Sequence, residues 1–169
     1  CLVDDAISAD KRAAANDAAR AFYQTLLKSD AAARDALTDE AKKLVAPDVF
    51  EVMMRTIAAS GPYDDLTVEH TYQPTIAGAP GRVTCPGDDE ATTVSLSALP
   101  DTTQIHTLFT AKTRNNDWSL TTWMLEKDET WRVHAFYVSL ASIVGHPAPA
   151  CQRLALAAVV DRVRLPQQR

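Results

Sequence analysis

His70 and Tyr72 stand two residues apart in the stretch "LTVEHTY". On a strand, that spacing sends both side chains to one side, about 7 Å apart. An imidazole beside a phenol can serve as a general base with a group that polarises a carbonyl. Leu66, Val68, His70 and Tyr72 alternate with Thr67, Glu69 and Thr71, so the pair is expected on the apolar face of a half-buried strand, where it would line a cavity. Glu69 points to the other side, which leaves the pair without an acidic partner in phase. The competing reading is a core histidine bonded to a neighbour. His134, between Val133 and Ala135, is expected on the face opposite Trp131 and Val133, together with Phe136 and Val138.

Other chemistries leave little trace. With five glycines there is no phosphate-cradling loop, nucleophile elbow or dinucleotide fingerprint. The four histidines, His70, His106, His134 and His146, are scattered, with no H-E-x-x-H or C-x-x-C spacing, so neither a metal nor a cofactor is expected. Asp88, Asp89 and Glu90 offer carboxylates without the one-three-five spacing that wraps calcium, and read as a solvated turn. The net charge is −5, with 17 Lys and Arg against 22 Asp and Glu. That balance argues against a nucleic-acid partner, which would need a basic face. Trp118, Trp123 and Trp131 crowd one region near Phe136 and Tyr137. Trp123 and Met124 are adjacent on a strand, so one of them must face outward. Trp123 is the candidate anchor for a partner, with Trp118, Tyr72 and His70 as further binding residues.

Three cysteines, Cys1, Cys85 and Cys151, cannot all pair. Cys85 in "VTCPGDDE" and Cys151 in "APACQRL" sit beside loops, and a bridge between them would stabilise the fold by roughly 4 kcal/mol on the chain-entropy model. Cys1 is then left over. A chain opening "CLVDDAISADK" resembles a bacterial lipoprotein, whose N-terminal cysteine is acylated. That resemblance implies membrane attachment through the lipid on Cys1 alone, with residues 1–9 as a linker. It also implies a place on the periplasmic side of the cell envelope, and at the outer membrane, since Leu2 is not aspartate. No apolar run reaches the length needed to span a bilayer.

These groups need elements to hold them. Across residues 10–29, Ala15, Ala18, Phe22 and Leu26 fall on one helical face. A second helix is expected over "AARDALTDEAKKLV", and a third opens at Pro47 in "PDVFEVMMRTIAAS". Beyond Tyr63 the period becomes that of strands. "LTVEHTY", "ATTVSLSAL", "QIHTLFTAKTR", "WSLTTWMLEK" and "WRVHAFYVSLASIVG" are expected to form an antiparallel meander closed by a long hairpin. "TIAGAPGRVTCPGDD" reads as a loop or bulged edge, and "PACQRLALAAVVDRVRL" as a final helix on the sheet. At 169 residues, residues 10–169 are expected to form one α+β domain. Helices followed by a curved antiparallel sheet, carried by "AFYQTLLKSDAAARDALTDEAKKLVAPDVFEVMM" and "WSLTTWMLEKDETWRVHAFYVS", resemble the NTF2-like (cystatin-like cone) superfamily. The C-terminal helix goes beyond its usual pattern. The resemblance implies a cone cavity and a homodimer built on the sheet.

The expected function is a non-enzymatic cell-envelope lipoprotein that binds a protein partner or small apolar ligand with the sheet face, loop 76–91 or cone opening, as an inhibitor or immunity protein against a toxic periplasmic enzyme would. The alternative is a small-molecule isomerase or hydratase working from His70 and Tyr72 in the cone cavity.

Overall fold

A computed structural model describes residues 1–64, 66–87, 92–113, 116–143 and 146–147, with backbone only from residue 142 onward. The expected C-terminal helix and Cys151 lie outside the described residues. The fold is α+β: helices packed on an antiparallel sheet.

Helix α1 spans Ala9–Leu26 and buries Ala15, Ala19, Phe22, Tyr23 and Leu26, the one-sided stripe that a 3.6-residue period produces. The expected second helix divides in two, a 3₁₀ turn over Ala31–Ala36 and α2 over Asp39–Leu44. Two interactions force the break. Thr38 N–H donates to the Val133 carbonyl at 2.8 Å and Leu37 bridges Val133, which holds the chain extended. Thr38 Oγ1 then accepts from Ala41 N–H as the cap of α2. At the far end, Arg34 donates to the carbonyls of Lys42 and Val45, satisfying acceptors that a helix end leaves open. Helix α3 spans Pro47–Ala58 with proline in its first turn.

Eight strands follow the chain: β1 Leu2–Val3, β2 Thr67–Gln73, β3 Gly81–Pro86, β4 Thr93–Ala98, β5 Gln104–Lys112, β6 Asn116–Lys127, β7 Thr130–Ile143 and β8 His146–Pro147. The main sheet runs β1-β2-β5-β6-β7-β8, while β3 and β4 pair only with each other. The expected meander is therefore interrupted: β2 pairs with β5, and the β3–β4 hairpin leaves the sheet between them. Part of the stretch read as a loop or bulged edge is strand β3, in register with β4 from Gly81↔Ala98 to Pro86↔Thr93. The long β6–β7 hairpin turns on Asp128 and Glu129, both at positive φ (49° and 59°), as a two-residue type I′ turn requires.

The helix side of the sheet is filled. Phe22, Tyr23, Phe50, Phe109, Leu120, Met124 and Val133 are buried there. Phe22 meets Phe136 at 5.0 Å and Tyr23 meets Phe109 at 5.8 Å, both edge-on. A smaller cluster joins Ile7, Ala15 and Ile105.

Residues 1–9 are not a linker. β1 pairs with β2 through Leu2↔Gln73 and Val3↔Tyr72, and Ile7 is 2% exposed. Cys1 is disulfide-bonded to Cys85 across 84 residues, Cα to Cα 5.4 Å. This replaces the expected Cys85–Cys151 bridge, because a sulfur forms one disulfide. The bridge occupies the Cys1 sulfur, the atom to which the lipid implied by the lipoprotein resemblance would be attached.

Candidate ligand trough and its aromatic border

The sheet has two faces, and one extra residue decides which of them His70 and Tyr72 occupy. In the β2–β5 ladder Val68 opposes Phe109 but His70 opposes Leu108, with an irregularity between them. Glu69 is the extra residue, a β-bulge that inverts the alternation after it. Val68 packs on the core, whereas His70 and Tyr72 turn to the face away from the helices. The cavity-lining reading of His70 and Tyr72 is thereby overturned, and the helix side offers them no space. Glu69 Oε1 accepts from Thr110 Oγ1 at 2.6 Å, which secures the bulge. The acidic partner missing from the strand is Asp4, whose Oδ2 lies 3.0 Å from His70 Nδ1 while its Oδ1 accepts Thr71 N–H at 2.7 Å. Asp4 orients the imidazole, yet Tyr72 is buried beside it, the rings 5.8 Å apart. The arrangement fastens the N-terminal segment to β2.

An aromatic row crosses this outward face. Register places Tyr72 opposite His106, and His106 opposite Trp123. His106 and Trp123 stack at 5.2 Å, and Trp123 meets His134 edge-on at 4.7 Å. Gln104 braces the row: its Oε1 accepts from Trp123 Nε1 and Leu99 N–H, and its Nε2 donates to the Leu99 carbonyl. His106 Nε2 donates to the Ser97 carbonyl at 2.9 Å. Burial lowers the His106 pKa to about 4, against the opposing pull of that carbonyl. The outward member of the Trp123–Met124 pair is Trp123, but it is half-buried between two histidines and is not a free-standing anchor. Trp118 is no anchor either, since it packs on the core with Tyr63 against its ring at 6.1 Å. A second irregularity, between Trp123 and Met124, separates His134 from Phe136 and Val138. Those two pack on the core, contrary to the expectation of a shared face.

The row ends at a trough of about 900 Å³ at the β6–β7 end of the sheet. Leu125 and Arg132, which oppose each other in the ladder, line it together with His134. One wall is the start of α2 with Thr38, Asp39 and Glu40; the other is the β4–β5 connection, with Leu99, Asp101 and Thr103. Asp101 sits at positive φ (51°), a conformation that aspartate tolerates better than most residues. Burial lowers the His134 pKa, with Glu40 opposing the shift. The Thr38 hydroxyl lies 3.4 Å from His134 Nδ1, long for an O–H···N bond. Its oxygen also accepts from Ala41 N–H as the cap of α2. Arg132 donates to the Asp35 carbonyl at 2.8 Å, which uses one of five guanidinium donors.

Comparison of the chain with protein-family models, with curated proteins and with solved structures finds no match. Among the described residues, no group of three or more His, Cys, Asp or Glu is placed to hold a metal ion, and no helix is long and apolar enough to cross a membrane.

Sequence reasoning reached Trp123 through its phase against Met124. It missed Asp4, Glu40, Asp101 and Arg132 as site residues, because each enters through a turn, a cap or a register that no local pattern announces.

Proposed function

We propose that this protein is a non-enzymatic binding protein of an oxidising compartment such as the bacterial cell envelope, holding a partner or ligand in the trough. The observation that carries this reading is the trough itself, a concave site of ligand-binding size bordered by charged side chains that form no ion pair with one another among the described residues. The Cys1–Cys85 bridge supports the compartment, since disulfides persist where thiols are not kept reduced. The NTF2-like layout is retained as a proposal, supported by helices preceding and covering an antiparallel sheet. On that layout the cone is closed by aromatic side chains, and binding has moved to the end of the sheet.

A photoreactive side chain replacing Thr130, which borders the trough, tests the assignment against one replacing the exposed Lys28 on the opposite end of the chain's first helical region. Crosslinking in the protein's own compartment is expected at position 130 and not at 28. Equal labelling at both positions, or none at 130, overturns it.

A further inference from the structure

Eight formally charged side chains line the trough: the acids Asp39, Glu40, Asp101, Glu126 and Asp128, and the bases Lys42, Lys127 and Arg132. Among the described residues the ion pairs are Arg12–Asp5, Arg55–Glu51 and His70–Asp4, so none of the eight is neutralised by another. Opposite charges gathered around one concavity would ordinarily relax into pairs. Here short elements hold them apart. Asp39 and Glu40 belong to the first turn of α2, whose start is tied to β7 by the Thr38–Val133 bond. Asp101 is set by its positive-φ turn and Asp128 by the hairpin turn. Arg132, an exposed side chain, has its guanidinium drawn to the Asp35 carbonyl.

We infer that the trough takes a peptide segment of mixed charge, with cationic side chains along the acidic walls and a carboxylate over Arg132. The inference rests on the trough being the binding site. Three features select this chemistry. Five acids against three bases repel a polyanion, which excludes nucleic acid and polyphosphate. Arg132, exposed on the lining, presents a fork suited to carboxylate, so a purely cationic ligand leaves it unmatched. Leu99 and Leu125, both half-buried, also line the trough, and can cover the aliphatic stems of Lys or Arg while their heads reach the rim. A free oligopeptide and a loop of a partner protein share this chemistry. Crosslinking from position 130 distinguishes them by the mass of the adduct.

The probes are short capped peptides: one of Lys and Glu with Lys in excess, one of Lys alone, one of Glu alone and one of Gly and Ser. Calorimetry at low and raised ionic strength gives their affinities. The Lys–Glu peptide is expected to bind about tenfold tighter than the Gly–Ser peptide, and to weaken as salt screens the charges. Glu40→Gln combined with Arg132→Gln is expected to remove most of that difference, about five- to tenfold, at an unchanged melting temperature. Asp128→Asn, on the exposed hairpin turn, keeps a side chain that tolerates positive φ, leaves folding intact and should cost about twofold. Equal binding of the Lys–Glu and Gly–Ser peptides, or undiminished binding by the double variant, overturns the mixed-charge inference. A Lys-only peptide that binds as tightly as the Lys–Glu one overturns it in favour of a simple cation site. Failure of every peptide while position 130 still crosslinks a ligand overturns this inference and leaves the binding reading standing. Failure of both overturns the two together.

Discussion

The imidazole of His106 lies on the indole of Trp123, ring centroids 5.2 Å apart and planes 18° from parallel. Its Nε2 is bonded to Ser97, and the side chain is shut away from water on the outward face of the sheet. This burial couples folding to pH. The unfolded chain protonates His106 below about pH 6.5, whereas the folded chain does so only below about 4. Between those values the unfolded state binds one more proton, so stability falls as pH falls. The loss is expected to reach on the order of 3 kcal/mol by pH 4, and the lowered pKa of His134 acts in the same direction. Urea unfolding between pH 7 and pH 4 measures it. His106→Gln should flatten the profile, and a slope unchanged by that substitution would place the titration elsewhere.

The bridge between Cys1 and Cys85 closes a loop of 84 residues, and a loop of that length is worth roughly 4 to 5 kcal/mol on the chain-entropy model. Cys85→Ser, or reduction, should lower stability by an amount of this order. Peptide mapping without reductant should recover the fragments of Cys1 and Cys85 joined. Recovery of Cys85 joined to Cys151 would return the pairing to the one expected from loop context.

The contrast between those pairings shows what local patterns carry. α1 and α3 were legible because apolar residues repeat at the helical period, and the β6–β7 hairpin because two alternating runs flank a polar turn. The split of the second helix was not legible, since Leu37 is drawn out of it by Val133, a residue 96 positions later. His70 was placed on the wrong face because a single bulged residue, Glu69, leaves no mark in an alternating pattern. The site suffered most: its walls come from a cap, two turns and a strand register, which meet only in the folded chain.

Asp4 is expected to act as a fastening. Its carboxylate takes the Thr71 N–H at 2.7 Å and faces His70 at 3.0 Å, so Asp4→Ala strips a buried backbone donor of its partner. The cost should be about 1 to 3 kcal/mol. Hydrogen exchange at Thr71 should quicken, while ligand binding in the trough stays as it was. His70→Gln and Tyr72→Phe should likewise leave binding intact. Loss of function from His70→Gln at an unchanged melting temperature would instead favour a catalytic role.

Phe109 is fully buried under α1, against the ring of Tyr23 and close to the guanidinium of Arg20. Phe109→Ala should cost about 3 to 5 kcal/mol. A smaller loss in thermal unfolding would mean that the helix side of the sheet collapses to fill the gap, or holds more free space than its packing indicates.

The Cys1–Cys85 bond also changes how the molecule answers to force. A pull applied at residue 1 would ordinarily peel the two-residue strand β1 from the sheet edge, one hydrogen-bonded pair at a time. With the bond in place the load passes from Cys1 into β3, and the β3–β4 hairpin shares it through the ladder running from Gly81↔Ala98 to Pro86↔Thr93. Anything tethered at that end would therefore tug first on the hairpin, and through the end of β4 at Ala98 on the adjoining trough wall at Leu99.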